Sequence, residues 1–246
     1  GDGNYGTTNE TVVGFSDNIT VARWRSSETN KVYYNPAVRY DPWIDINSIT
    51  VTNPYGSPMP NALPKQAKYN PVPIAGMSTE VLDLTVEQNR DLHSNAWLNN
   101  NANGTTTTPT WTINSTSKTK FYPATYFQYN PDNLPTCTSS QLSCFKRIEI
   151  KSGMALTAKA ATRSDCLANI CTYDEEIKNF ANWFQYYRSR MLTARAGSGR
   201  AFANQAPSLR VGFGTINTTG TKVSNVTDDF GVTNKKNFLK TLYERK

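Results

Sequence analysis

One histidine, His93, serves the whole 246-residue chain. Nucleophilic catalysis sets a hydroxyl or thiol beside a base, most often histidine. The four cysteines fall into close pairs, so a Cys–His site is not expected. A Ser–His–Asp hydrolase built on His93 is the one enzymatic reading, set against the plainer one of a loop histidine. No catalytic residue is assigned, and the chain is not expected to be an enzyme. No apolar run approaches the roughly 18–20 residues a helix needs to cross a bilayer, so membrane insertion is not expected. There is no dense Lys/Arg run either, although the net charge is +7 and the pI is near 9.2. Scattered basic charge permits contact with anionic surfaces without demanding it. A solvated, mildly basic surface is the plain reading, and a basic nucleic-acid-binding module is the alternative. No signal-peptide pattern opens the chain, which starts at Gly1. It therefore reads as a mature or excised piece whose leader was removed earlier.

Cofactor signatures are also missing. Gly197-Ser-Gly199 lies inside a helical pattern and Gly212-Phe-Gly214 inside a strand pattern, so neither opens a helix as a phosphate cradle does. Close packing explains both better. Asp228, Asp229 and Asn234 lack the spaced oxygen ligands of a calcium loop. No cofactor and no metal are expected.

What is present begins with the cysteines, Cys137/Cys144 and Cys166/Cys171. Polar Asn/Thr-rich loops between apolar runs favour an oxidising compartment and two local disulfides. Four cysteines allow other connectivities, and spacing alone does not choose. Zinc is the rival reading. The gaps of six and four residues fit poorly with the roughly two to four of most zinc sites. His93 is distant in sequence.

Residues 1–165 read as a β-rich unit dense in Pro, Tyr, Asn and Thr. Its first thirty residues look loose, apart from a possible strand at Thr20–Trp24. Eight of the 13 prolines fall between Pro36 and Pro73. Proline fixes φ and removes a donor, which excludes a regular helix or central strand there. The interleaved Tyr33, Tyr34, Tyr40, Trp43, Tyr55 and Tyr69 point to an extended segment packed on a body rather than a free linker. Strands are expected at Glu80–Val86, Phe121–Tyr129 and Phe145–Ile150, with a strand leg at Trp111 and Ile113 beside an Asn/Thr-rich tip at 99–119.

Residues 166–246 read as helix, strand, helix. Cys171 to about Gln205 is expected to form one long amphipathic helix. Thr172 and Glu175 make a capping-box pattern at its start. Ile177, Phe180, Phe184, Tyr187, Met191, Ala194, Ser198 and Ala201 draw a seam along one face. Trp183, Tyr186 and Arg190 lie off that seam, as in a helix covered on two sides or one facing a partner. Pro207 ends the helix. Leu209–Ile216 alternates like a strand, and Asn234–Tyr243 reads as a short helix. A long helix, a turn and an apolar strand make half of an α/β crossover.

Several runs stand together in order: NKVYYNP, FYPATYFQY, FKRIEI, then RSDC…CTYDEEIKNFANWFQYYRSRMLTARAGSGRAF and RVGFGTIN. In these the chain resembles the PilC/PilY family of type IV pilus tip-associated adhesins and biogenesis factors. The resemblance runs from about residue 30 to the C-terminus and is most specific over Arg163–Ile216. It implies an α/β fold containing part of a von Willebrand factor A-like domain, with residues 1–165 as a β-rich, loop-rich insertion. It also implies a non-enzymatic role in adhesion and pilus biogenesis, exported through the periplasm to the cell surface at the pilus tip. The partners implied are minor pilins and host-cell surface proteins or glycans, with no nucleic acid. The Asp-x-Ser-x-Ser metal motif of that domain is missing. Phe15-Ser-Asp-Asn-Ile-Thr20 does not match it, so no metal residue carries over.

Overall fold

A computed structural model describes residues 19–74, 79, 81–91, 118–155, 157–214 and 229–245. Among them the chain is mixed α/β, with four α-helices and five two-stranded sheets. The helices are α1 (Ile19–Trp24), α2 (Tyr173–Tyr186), α3 (Arg190–Ala203) and α4 (Val232–Glu244). The strand pairs are β1 (Ile44–Asp45) with β2 (Ser57–Pro58), β3 (Ala67–Lys68) with β4 (Val81–Leu82), and β5 (Gln88–Asp91) with β6 (Lys118–Phe121). The remaining pairs are β7 (Thr125–Tyr129) with β8 (Phe145–Glu149), and β9 (Thr157–Ala158) with β10 (Ile170–Cys171). All five pairs are antiparallel, so no parallel crossover occurs among the described residues.

Thr172 caps α2 as its sequence pattern demands. Its hydroxyl accepts from the Glu175 amide at 3.3 Å, and the Glu175 carboxylate accepts from the Thr172 amide at 2.8 Å. The single long helix is not formed, because it breaks at Tyr187–Ser189. The break is capped from both directions. Ser189 takes over as a new N-cap, its Oγ accepting from the Leu192 amide at 3.2 Å. The last carbonyls of α2 find side-chain donors: Phe184 O from Arg188, Tyr186 O from the Trp43 indole at 2.9 Å, and Tyr187 O from Thr193. A serine amid bulky, weak helix formers thus costs the helix nothing in stranded backbone groups.

Four further expectations change. Thr20–Trp24 falls in a helix rather than a strand. Phe121–Tyr129 is interrupted at Tyr122–Ala124, with Pro123 at the centre of the break. Of the strand expected at Glu80–Val86, Val81–Leu82 forms among the described residues, and Glu80 lies outside them. Leu209–Phe213 joins no ladder. Its alternation comes from Val211 and Phe213, which are half-buried, and Phe213 meets Phe238 of α4 at 6.0 Å between ring centres. His93, Trp111, Ile113, Asp228 and Ile216 lie outside the described residues.

The main core joins the proline-rich segment, β7 and the three long helices. Tyr33, Tyr34, Trp43 and Tyr69 are buried against Ile177, Phe180, Trp183, Phe184 and Tyr186 of α2. Tyr34 alone touches the rings of Tyr40, Tyr126, Phe180 and Trp183. The core therefore draws residues from both sides of position 165. A smaller cluster sets Val21 and Ala22 of α1 against Phe127, Cys144 and Phe145. Glycine has one clear steric role in α3. A Cβ at Gly199 would fall on the Tyr243 hydroxyl of α4, whereas one at Gly197 would meet nothing within 4 Å.

Candidate interaction surface

Residues 31–69 hold six prolines among few ladder partners, so most of their backbone groups must be satisfied elsewhere. Helix α2 supplies the partners. Glu176, Asn179, Asn182 and Gln185 repeat every third position and are all buried. Asn179 accepts from the Tyr40 amide at 2.9 Å and donates to the Val38 carbonyl at 2.9 Å. Asn182 accepts from the Ala62 amide at 2.8 Å, and Gln185 from the Lys68 amide at 3.0 Å. Ring donors complete the row. Trp183 Nε1 donates to Val32 O, the Tyr186 hydroxyl to Pro60 O and the Tyr187 hydroxyl to Asp41 O. A helix side thus acts as the missing sheet neighbour for an extended segment.

Basic side chains serve the same end. Arg200 of α3 reaches the carbonyls of Asp41 and Pro42. The Lys235 ammonium sits among the carbonyls of Pro54, Ala203 and Gln205 at 2.7–2.9 Å, under the rings of Tyr55 and Phe230. It caps the C-terminal end of α3, where the helix dipole favours a cation. Arg188 donates to Phe184 O and lies over the rings of Tyr69 and Phe184. Burial lowers its pKa to about 10.

The start of α2 holds a buried ion pair. Arg163 Nη1 lies 2.9 Å from Glu176 Oε1, with the side chains 0% and 4% exposed. Arg163 also grips Asp165 at 2.9 and 3.0 Å and the Pro36 carbonyl at 2.7 Å. The Tyr34 hydroxyl donates to Glu176 Oε2 at 2.9 Å. Burial pushes the Glu176 carboxyl up, and Arg163 and Tyr34 pull it back only in part. Burial alone would lower the Arg163 guanidinium; its bonds to Asp165 and the nearby acidic groups reverse that, and it is raised. Tyr34 is raised well above its ordinary value, first by burial and then by Glu176.

Both expected disulfides form: Cys137–Cys144, with Cα atoms 5.5 Å apart, and Cys166–Cys171, 5.0 Å apart. The first staples the loop joining β7 to β8. The second closes a small ring directly before α2. Cys166, Cys171 and Glu176 bring three potential metal donors together. Their sulfurs are bonded to each other, and the carboxylate already faces Arg163 and Tyr34, so these groups as they stand offer a metal nothing. His93 lies outside the described residues.

The ring projects one apolar side chain fully. Leu167 is 96% exposed and Ile170 is 45% exposed. The ring is nonetheless held firmly. The Leu167 amide donates to Glu175, Lys159 Nζ donates to Cys166 O, and the Lys159 amide donates to Asn169 O. A second apolar projection, Val51 at 86% exposure, stands on the turn between β1 and β2 near Tyr55, which is 50% exposed.

No family model, no curated protein and no solved structure matches the chain. The surface has to be read from its own geometry.

The sequence reading assigned the cysteines and missed the polar residues of α2. The signal was available. Amides at a spacing of three within an aromatic helix cannot face a purely apolar core without partners. Lys235 and Arg163 carried no comparable signal, since their partners are backbone carbonyls or distant in sequence.

Proposed function

We infer that the chain is a non-enzymatic, extracellular adhesion and pilus-biogenesis module. It binds minor pilins and host-cell surface proteins or glycans through its rigid loops. The carrying observation is the braced ring 166–171, which holds Leu167 almost wholly in water on a scaffold fastened at several points. A preorganised apolar projection loses little freedom when it enters a partner's pocket. The resemblance to the PilC/PilY family supplies the class of partner. Two disulfides suit an oxidising compartment. In this reading α2 and α3 together stand for the first helix of a von Willebrand factor A-like domain, α4 begins the next helix, and residues 1–165 are the insertion.

Nucleic-acid binding is the weaker alternative. Five basic side chains, Arg25, Arg163, Arg188, Arg195 and Lys235, are buried, so part of the formal charge of +7 is not displayed.

The test is retention of the full chain by immobilised minor pilins and by host cells, beside a Leu167→Asp variant. Retention of the parent and loss in the variant is the expected result. Retention of neither, or equal retention of both, counts against this assignment of the surface. Binding to duplex DNA with a steep salt dependence would favour the alternative.

A further inference from the structure

The Cys166–Cys171 ring lies between the two halves of the Arg163–Glu176 pair. Arg163 stands three residues before it and Glu176 five after it. The Cys166 amide donates to the Arg163 carbonyl at 3.3 Å. On the other side, Glu175 binds the Leu167 amide inside the ring and the Thr172 amide at the helix start, both at 2.8 Å. The ring therefore sets where both charged groups sit. Three polar ties between residues 36–39 and the turn at 162–164 hang from it: Arg163 to Pro36 O, Thr162 Oγ1 to Ala37 O, and Arg39 Nη1 to Ser164 Oγ. Among the described residues this turn is otherwise supported by the two-residue pair β9–β10, by the Lys159 bonds to Cys166 O and Asn169 O and by the Arg163 amide on Ala160 O, and Cys171 is half of one of the pair's two strands. The disulfide is also hidden, with both cysteines 1% exposed, whereas Cys137 of the other pair is half-buried on a surface loop.

We propose that the Cys166–Cys171 disulfide is a redox latch: reduction unpins Arg163 from Glu176, releases the three ties to residues 36–39 and so loosens the flanking segment 31–43 on α2, and the intact ion pair in turn shields the disulfide. The reductant is a dithiol. Its thiolate attacks one sulfur, the S–S bond breaks, and a mixed disulfide forms. The second thiol then displaces it. Two electrons pass to the protein, the reagent's two thiol protons end on Cys166 and Cys171, and the reagent leaves as a cyclic disulfide. Opening the ring restores chain freedom on both sides of the buried pair. Because the sulfurs are covered, attack waits for local opening, and the ion pair sets how rare that opening is. The coupling does not depend on what the module binds.

The full chain is incubated with dithiothreitol at neutral pH, and thiols are trapped by alkylation at intervals. Peptide mass spectrometry follows each disulfide, and tryptic cleavage after the exposed Lys31 and Arg39 is read in parallel. Cys137–Cys144 is reduced first, and Cys166–Cys171 follows at least about tenfold more slowly. Cleavage after Lys31 and Arg39 rises with the second event. In Arg163→Met, Cys166–Cys171 is reduced about tenfold faster than in the parent, while the Cys137–Cys144 rate is unchanged. Cleavage that follows Cys137–Cys144 instead, or an Arg163→Met protein with an unchanged rate at Cys166–Cys171, overturns the proposal. A Cys137→Ser/Cys144→Ser protein controls for general loosening. If it exposes Lys31 and Arg39 as much as reduction of the parent does, the latch is refuted.

Discussion

Replacing Arg163 with Met removes the cation paired with Glu176 in the buried start of α2. The Arg163 side chain is 0% exposed and the Glu176 side chain 4% exposed, so water cannot take the lost partner's place. Removing one member of a buried pair typically costs about 3–5 kcal/mol, because it leaves a bare charge in the interior. The Pro36 carbonyl loses its donor as well. Asp165, with 16% of its side chain exposed, suffers less. For a chain of this size each kcal/mol shifts Tm by about 2–4 °C, so a drop of roughly 6–20 °C is expected. Replacing both residues, as Arg163→Met/Glu176→Leu, removes the stranded charge and recovers most of the loss. The pH dependence has a definite sign. The Glu176 carboxyl is already raised, and loss of Arg163 raises it further. A carboxyl raised in the fold binds protons more tightly folded than unfolded. Its penalty is therefore full above the folded pKa and fades as pH falls toward the unfolded value, about 4.3 for Glu. The Arg163→Met deficit should accordingly be largest at neutral pH and shrink in acid. Urea unfolding of the four proteins of this cycle at pH 7 and pH 5 measures it. A single-variant loss below about 1 kcal/mol, or a double variant as unstable as the sum of the singles, refutes the reasoning.

Lys235→Met strands three carbonyls, those of Pro54, Ala203 and Gln205, and at about 1.5–3 kcal/mol for a charge-assisted bond the total loss should exceed about 3 kcal/mol in urea unfolding. The two glycines of α3 should respond in opposite directions. Gly199→Ala collides with Tyr243 and loses about 1–3 kcal/mol, while Gly197→Ala has open space and gains up to about 1 kcal/mol by the same measurement. The Glu175 carboxyl is held below its usual range by the amides of Thr172 and Leu167. Its contribution is therefore present above the unfolded value and is lost as pH falls through the folded one. Amide protection in the first turn of α2, taken relative to the intrinsic exchange rate at each pH, should fall in that acid window and stay level over pH 6–8, and Glu175→Gln should remove that fall.

Local signals carried well into the structure where chemistry and position coincide. Thr172 and Glu175 announced a capping box, cysteines close in sequence favoured the local pairings that form, and tyrosines set among prolines announced a packed segment. Alternation over Phe145–Ile150 found a strand that does pair. The failures share a cause. The Tyr187–Ser189 break is invisible to periodicity: the expected seam runs on through Met191, Ala194 and Ala201, yet these are exposed in α3, where Leu192, Ala196 and Gly199 are buried instead, and one donor that satisfies the break, the Trp43 indole, comes from far along the chain. Leu209–Phe213 alternates because Val211 and Phe213 turn half-buried and Phe213 meets Phe238 of α4, which looks the same in sequence as one face of a sheet. Arg163 and Glu176 meet because the ring between them folds back, and a linear reading cannot see that return.

The manner in which α2 grips residues 31–69 has an evolutionary corollary. The helix holds that strap by its peptide groups, not by its outward side chains. Positions such as Ala37, Val51, Leu63 and Lys65 point into water and are not asked to fit anything beneath them. Substitutions there can accumulate with little penalty to the scaffold. A molecule fastened in this way can redraw its outer contours under selection while its interior stays unaltered.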